Sequence, residues 1–152
     1  MKVKKGYYPA DSFFRQPDKT ADRITAIKGE IEYIFWLMLP SGIDYAADKV
    51  MTSPEAILPE YAAHKADLER ELKELQKLYF EQIKSRKEVI QRLTDINDFG
   101  ATVLMEYYIS HKSINKIAED HHYSREGIYK ARNKALYQTL NLMTPIQKQF
   151  HS

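Results

Sequence analysis

The sequence predicts an all-α protein of 152 residues, in which a helical hairpin with a long-helix arm precedes a C-terminal three-helix domain. Apolar residues recur at steps of three and four residues through most of the chain, as they do along one face of a helix, whereas signals for β-strands are few. The clearest pattern lies between Ser113 and Leu140, where two amphipathic stretches meet at a tight corner. An apolar fraction of 43% is enough to form a core, so the chain is expected to fold.

Composition excludes several classes of protein. The chain has no cysteine, which rules out a disulfide framework and a thiolate metal site. Its longest apolar run, Tyr33 to Leu39, is too short to cross a bilayer, and no secretory signal follows the N-terminal lysines. We therefore expect a soluble protein of the bacterial cytoplasm with no membrane contact. A net charge of +2 does not by itself indicate a nucleic-acid partner.

The pattern divides the chain into four segments: residues 1–17, 18–95, 96–141 and 142–152. The first is a basic, aromatic N-terminal arm, and two interpretations of it stay open. It is either a surface arm, or an arm whose Lys2, Lys4 and Lys5 contact phosphates while its aromatic residues dock elsewhere. Four aromatics in so short a stretch favour partial docking. The last segment contains Pro145 and is predicted to be a weakly patterned tail.

A helix is predicted from Asp18 to Leu39. Its apolar face steps by three or four residues through Ile24, Ile27, Ile31, Ile34 and Met38. The neighbouring Phe35, Trp36 and Leu37 widen this face, so the end of the helix is expected to be deeply buried. Pro40, Ser41 and Gly42 are expected to stop the helix.

The longest helical signal runs from Glu60 to about Thr94, after a connector at residues 41–59 in which Pro54 is suited to a first helical position. Leucines at 68, 72 and 75 begin a spacing close to the heptad of a coiled coil. Packing against the 18–39 helix as an antiparallel hairpin would cover part of this stripe. Self-association would cover the rest, so we expect a homo-oligomer, either a dimer or a tetramer.

In the C-terminal domain, residues 96–141, Asn97 or Asp98 is predicted to cap the first helix. Phe99, Val103, Leu104 and Tyr107 would form its first helix, and the stripe Ile114, Ile117 and Ala118 its second. The corner His121-His122-Tyr123 breaks that pattern, and Ser124 can cap a new helix. This third helix would bury Ile128, Ala131, Ala135 and Leu136, and would point polar residues outward. Such a helix suits the major groove of double-stranded DNA.

The outward residues of the third helix supply the candidate DNA contacts. Those suited to base edges are Arg125, Glu126, Tyr129, Lys130 and Asn133. Arginine can bond guanine through two hydrogen bonds, a carboxylate can accept from the cytosine amine, and tyrosine can contact either a thymine methyl or a phosphate. Those suited to the DNA backbone are Lys112, Ser113, Ser124, Arg132 and Lys134.

Other chemistry finds little support. His121 and His122, with His111, Glu119 and Asp120 nearby, resemble a metal set in composition only, because adjacent histidines on a helix point apart. The sequence has no glycine-rich phosphate loop, no nucleophile elbow and no zinc-protease motif. We expect neither an enzyme nor a cofactor.

The stretch IAEDHHYSREGIYKARNKAL resembles the DNA-reading segment of sigma-factor region 4. The resemblance implies that the residues after the capping serine contact base edges, which here are Arg125 and Glu126, then Tyr129 and Lys130. The family usually has leucine where His121 stands and glycine where His122 stands. A left-handed conformation at His122 would cost on the order of 1 kcal/mol relative to glycine.

From about Ser41 the chain also resembles small phage regulators of late genes, of the RinA-like and ArpU-like type. This resemblance implies a sequence-specific transcriptional regulator of phage or prophage genes that acts near a promoter, with RNA polymerase as a partner. Two alternatives stay open. A small terminase subunit also joins a helix-turn-helix to a helical hairpin and would form a large closed ring. A sigma-like module that only contacts proteins would never bind DNA.

Overall fold

The structure is a computed structural model that describes residue 3, residues 5–39 and residues 54–143, with side chains from residue 59 onward in the last range. A 3₁₀ turn at Lys5–Tyr7 leads into the helices: α1 (Tyr8–Met38), α2 (Pro54–Ile96), α3 (Asp98–Leu104), α4 (Ile114–His121) and α5 (Arg125–Leu142). Between α3 and α4, residues Met105–Ile109 form a π-helical turn. All of this described regular structure is helical, which confirms the predicted all-α class.

Two compact units make up the chain. Unit 1 combines Met1–Pro17 with Glu81–Ser152, and unit 2 is Asp18–Phe80. Both α1 and α2 run from one unit into the other, so the unit boundaries fall inside helices. Lys2, Lys4, connector residues 41–53 and the tail from residue 144 lie outside the described residues.

In unit 2, α1 and α2 pack along one apolar stripe. Its buried members are Ile27 and Ile34 from α1 with Leu68 and Leu75 from α2, and each pair is seven residues apart. This is the spacing of a coiled-coil seam, so the predicted packing of the two helices is confirmed. Arg23 and Glu71 also approach to 3.6 Å, but both are exposed and such pairs add little stability.

The expectation that Phe35, Trp36 and Leu37 are deeply buried is wrong. Their exposed fractions are 48%, 62% and 42%. The seam follows Ile27, Ile34 and Met38, and helical geometry points Trp36, two positions after Ile34, about 200° away from it. The apolar run therefore wraps around the helix instead of widening its buried face.

The N-terminal segment is also different from the predicted arm. Helix α1 already begins at Tyr8 and continues through Pro17, and Ala10, Phe13 and Phe14 are buried in the core of unit 1. Pro17 lacks the N–H that would bond the Phe13 carbonyl, and the buried Arg86 donates to the next carbonyl, Phe14 O, at 3.1 Å. Docking of the aromatic residues is confirmed, and it turns the segment into core helix.

Helix α2 is longer than predicted. It begins at Pro54, the predicted first helical position, and includes Pro59, so residues 54–59 belong to the helix and not to a connector. Among the described residues no helix is both long enough and apolar enough to cross a membrane.

The C-terminal part of unit 1 holds the helices of the predicted three-helix domain. Asn97 caps α3 by accepting from Gly100 N at 2.9 Å, and its amide donates to Gln138 Oε1 of α5 at 2.8 Å. Gly100 is needed for this close approach, since a Cβ there would lie 2.4 Å from Asn97 Nδ2. One end of α3 is thereby fixed to α5.

Candidate nucleic-acid interface

Helices α4 and α5 are joined by a turn of three residues. Ser113 caps α4 by accepting from Lys116 N at 3.1 Å, and Ser124 caps α5 by accepting from Gly127 N at 3.0 Å. His122 has φ 58° and ψ 41°, which is the left-handed conformation, and its N–H and that of Tyr123 bond back to α4. The predicted cap at Ser124 is confirmed, and the turn does place histidine where glycine is favoured.

The inner side of α5 is fixed by α3 and α4. Ile128 is fully buried with Val103, Ile114 and Ile117, and Ala135 and Leu136 are fully buried in the neighbouring cluster. In the turn, the Tyr123 ring stacks on Phe99 at 4.7 Å between ring centres. Because two helices hold it, α5 cannot rotate without breaking these contacts.

The outer side of α5 carries most of the candidate residues. We call this set the recognition surface; Arg125, Glu126, Lys130 and Lys134 in it are exposed, and Tyr129 and Asn133 are half-buried. Glu126 and Lys130 form an exposed ion pair at 3.6 Å, one helical turn apart. The structure thus brings all five base-contact candidates and Lys134 onto one helix with accessible side chains. The hydroxyls of Ser113 and Ser124 are exposed as well, at the two caps.

Arg132 does not belong to this surface. Its side chain is only 1% exposed, so the predicted phosphate contact is inconsistent with its position. It lies four residues after Ile128 and four before Leu136, on the face that packs inward. The guanidinium carbon lies 5.2 Å from the ring centre of Tyr107 and 5.1 Å from that of Tyr129. The charge of Arg132 suggested the surface, although its helical spacing from Ile128 and Leu136 places it inside.

Lys112, another predicted contact to the DNA backbone, is bound by two carboxylates of the protein itself. Its ammonium donates to Glu106 Oε1 at 2.8 Å and to Asp120 Oδ2 at 3.1 Å. A phosphate would have to compete with both carboxylates. Asp120 also pairs at 3.0 Å with Lys116, an exposed cation on the first turn of α4 that the sequence analysis did not single out.

Glu106, in the π-helical turn, joins this network to α4. Its second oxygen, Oε2, lies 2.6 Å from His121 Nε2. Partial burial opposes ionisation of Glu106, yet the hydrogen bonds from Lys112 and His121 outweigh it and lower the pKa of the carboxyl below its ordinary value. His121 therefore has a structural partner in the π-helical turn.

A second polar group ties α1 to the π-helical turn. The Tyr108 hydroxyl donates to Asp11 Oδ1 at 2.5 Å, and Arg15 bonds both Asp11 and the Tyr107 hydroxyl. Burial and the bond to Asp11 raise the pKa of Tyr108 above its usual range, so the phenol stays protonated. Asp11, Arg15 and Tyr108 were not singled out from the sequence, because the contacts join positions more than ninety residues apart.

No group of three metal-binding side chains occurs in the part of the chain that the structure describes. His121 lies against Glu106, and His111 and His122 each hold a left-handed backbone conformation. Comparison of the chain with family models, with curated proteins and with solved structures finds no match.

Proposed function

We propose that the protein is a sequence-specific DNA-binding transcriptional regulator. One observation carries this proposal: the N-terminal half of α5 exposes Arg125 at its first position and Glu126 and Lys130 on its outer side, while its inner side is fixed by α3 and α4. A rigid helix with its first turns exposed fits the width of the major groove, and residues near its N-terminus contact bases.

The chemistry of the recognition surface suits base edges. Arg125 would bond guanine, and Glu126 would accept from a cytosine amine once its pairing with Lys130 loosens. That pair is exposed, so its loss costs little. Lys130 and Lys134, with Lys116 at the start of α4, would supply cations to the phosphates on either side of the groove.

The regulatory part of the proposal comes from the resemblance of residues 117–136 to sigma-factor region 4 and of the longer segment to phage regulators of late genes. On this proposal the protein binds near a promoter of phage or prophage genes in the bacterial cytoplasm. RNA polymerase would be its partner there, and the chain itself would act as a dimer or tetramer.

Selection of bound sequences from a random pool of double-stranded DNA tests the proposal directly. We expect enrichment of one motif, and binding that weakens steeply with salt. Arg125→Ala is expected to lose preference at one base pair, whereas Lys130→Ala is expected to lower affinity, with a smaller salt dependence if it contacts phosphate. Lys87→Ala, an exposed cation on α2, is the matched control. No enrichment by the folded protein, or equal affinity in all three variants, would remove the assignment.

One observation favours a second function. Four large apolar side chains near the end of α1 are exposed: Tyr33, Phe35, Trp36 and Leu37. Grouped exposed apolar residues often mark contact with another protein, as a sigma-like interaction module would require. Absence of DNA binding together with a stable complex with polymerase would favour that module. A large closed ring in solution would instead favour a small terminase subunit.

A further inference from the structure

We propose that Tyr129 fixes the base preference of the second turn of α5, and that buried Arg132, backed by Tyr107, is the residue that positions it. The proposal rests on the proposed function, and it deepens it by naming the base chemistry: the Tyr129 ring would contact the C5-methyl of a thymine. The other interpretation, a phosphate contact by the same tyrosine, becomes an outcome of the test.

The guanidinium of Arg132 lies over two aromatic rings, those of Tyr107 and Tyr129. The Arg132 guanidinium carbon lies 5.1 Å from the ring centre of Tyr129 and 5.2 Å from that of Tyr107, within the range of cation–π contacts. A guanidinium is planar and can lie against an aromatic ring on each side, which the ammonium of lysine cannot do. Tyr107 itself is held, because its hydroxyl accepts from Arg15 of α1 at 3.3 Å.

Burial strengthens the contacts of Arg132 with the two rings. Arg132 is 1% exposed, and a cation removed from water is attracted to aromatic rings more strongly than one at the surface. A buried charge without such contacts would be very unfavourable. Contact with the two rings is therefore one of the interactions that stabilise the charge of Arg132 inside the domain, and the hydrogen bond to Asn133 Oδ1 at 3.4 Å is another.

The contact with Arg132 restricts Tyr129, which belongs to the recognition surface. Tyr129 is one turn after Arg125, is half-buried, and packs partly against the cluster of Ile117 and Ile128. A tyrosine on a free surface would sample several rotamers, whereas a ring in contact with the buried Arg132 is held before DNA binds. A fixed aromatic ring discriminates between bases by shape, and in the major groove the thymine methyl is the apolar feature available to it.

The test uses the full-length protein and the motif obtained from the random pool. The variants are Tyr129→Ala, Arg132→Met, Arg132→Lys and Tyr107→Leu, with Tyr107→Phe as the conservative rescue that keeps the ring. Ile128→Val is the control for a small loss of core packing, since Ile128 is fully buried on the same helix. Each variant is checked by circular dichroism, and Arg132→Lys and Tyr107→Leu decide the matter if Arg132→Met does not fold.

The readout is base preference at each position of the motif. The wild-type protein is expected to prefer thymine over the other bases at one position by about 5-fold to about 100-fold. Uracil lacks the C5-methyl group, so replacing that thymine with uracil should remove the preference. Tyr129→Ala, Arg132→Lys and Tyr107→Leu are expected to lose the same preference at the same position, and Tyr107→Phe to retain it. The double variant Tyr129→Ala with Arg132→Lys should lose no more thymine preference than Tyr129→Ala alone, because both changes remove the same contact.

Three results would overturn the proposal. Tyr129→Ala could lower affinity equally for all sequences and reduce the salt dependence, which would indicate a phosphate contact. The Arg132 and Tyr107 variants could weaken binding uniformly, as Ile128→Val does, which would indicate a structural role only. Uracil could be tolerated in place of thymine. Failure of the wild type to select any motif would instead remove the proposed function itself, so the two failures are distinguishable.

Discussion

His122 gives the turn between α4 and α5 its direction through one backbone conformation. Its φ of 58° lies in the left-handed region, where a side chain with a Cβ is strained and glycine is not. Histidine is tolerated there better than most residues, and β-branched residues are tolerated worst. The residue thus accepts strain at the point where the recognition surface begins.

Substitution of His122 tests this strain. We expect His122→Gly to raise the free energy of unfolding by about 0.5–1 kcal/mol, since relief of the strain exceeds the extra entropy of glycine in the unfolded chain. His122→Val should lower it by about 1–2 kcal/mol. Denaturation by guanidinium measures both, with Glu119→Gly inside α4 as a control that should destabilise by about 1 kcal/mol. Equal stability of the glycine and valine variants would show that the conformation carries no strain.

Single residues also show where sequence reasoning failed. The exposure of Lys130 could be predicted, because helical spacing puts it about 160° away from the buried Ile128. Arg125 lies on the same face as Ile128 and is exposed because it is the first residue of the helix. The same spacing puts Arg132 inside, but its charge suggested the surface. Only the position of Tyr107, supplied by another element, reveals what stabilises a charge there. A contact between distant parts of the chain leaves no local periodicity to detect.

At the scale of elements, the π-helical turn and α4 are connected by the Glu106 carboxylate. It accepts from Lys112 Nζ and lies 2.6 Å from His121 Nε2, so it is bonded through both oxygens. Its pKa is lower in the folded chain than in the unfolded chain. Such a carboxyl adds stability that is complete above its ordinary pKa of 4.5 and is lost as the pH falls through the lower, folded value.

Acid unfolding of Glu106→Gln tests this connection. The change keeps the shape of the side chain and removes its charge, so we expect the free energy of unfolding near neutral pH to fall by about 1–3 kcal/mol. The variant should also lose less stability than wild type between about pH 5 and about pH 3, because glutamine does not titrate. Glu119→Gln, the same change at an exposed site on α4, should leave the profile nearly unchanged. Parallel profiles for Glu106→Gln and wild type would contradict the assignment.

Helix α1 explains why element boundaries were harder to predict than element types. Its seam, Ile27 and Ile34, follows a regular period and could be predicted together with its partner on α2. The first turns of α1 contain Pro9 and Pro17, and proline inside a helix usually ends it. Phe13 and Phe14 in the same turns are buried against α2 and the π-helical turn. Tertiary contacts, including the bond from Arg86 to the Phe14 carbonyl, therefore outweigh a local signal to stop.

For the molecule as a whole, the all-α class and the order of the C-terminal helices were predictable, and the division into units was not. A segment read as an N-terminal arm belongs to the same unit as the recognition surface. Phe14 is fully buried and stacks on Tyr108 at 5.2 Å between ring centres, and Tyr108 bonds Asp11. The beginning of the chain therefore supports the elements that hold α5.

Phe14→Ala measures this support against a matched change, Phe35→Ala. Phe14 is 0% exposed and Phe35 is 48% exposed, so the two variants delete the same ring from the core and from the surface. We expect Phe14→Ala to lower the free energy of unfolding by about 3–5 kcal/mol and Phe35→Ala by less than about 1 kcal/mol. Guanidinium unfolding followed by circular dichroism provides both values.

Amide hydrogen exchange then shows which helices lose stability in Phe14→Ala. If residues 8–17 are part of the core that supports α5, Phe14→Ala must weaken the protection of amides in α3 and α5, which are remote from it in sequence. If residues 8–17 only lay on the surface, Phe14→Ala would weaken protection within those residues and leave the protection of α5 unchanged. Protection of α5 equal to that of wild type in Phe14→Ala would therefore show that the buried ring of Phe14 does not support the recognition surface.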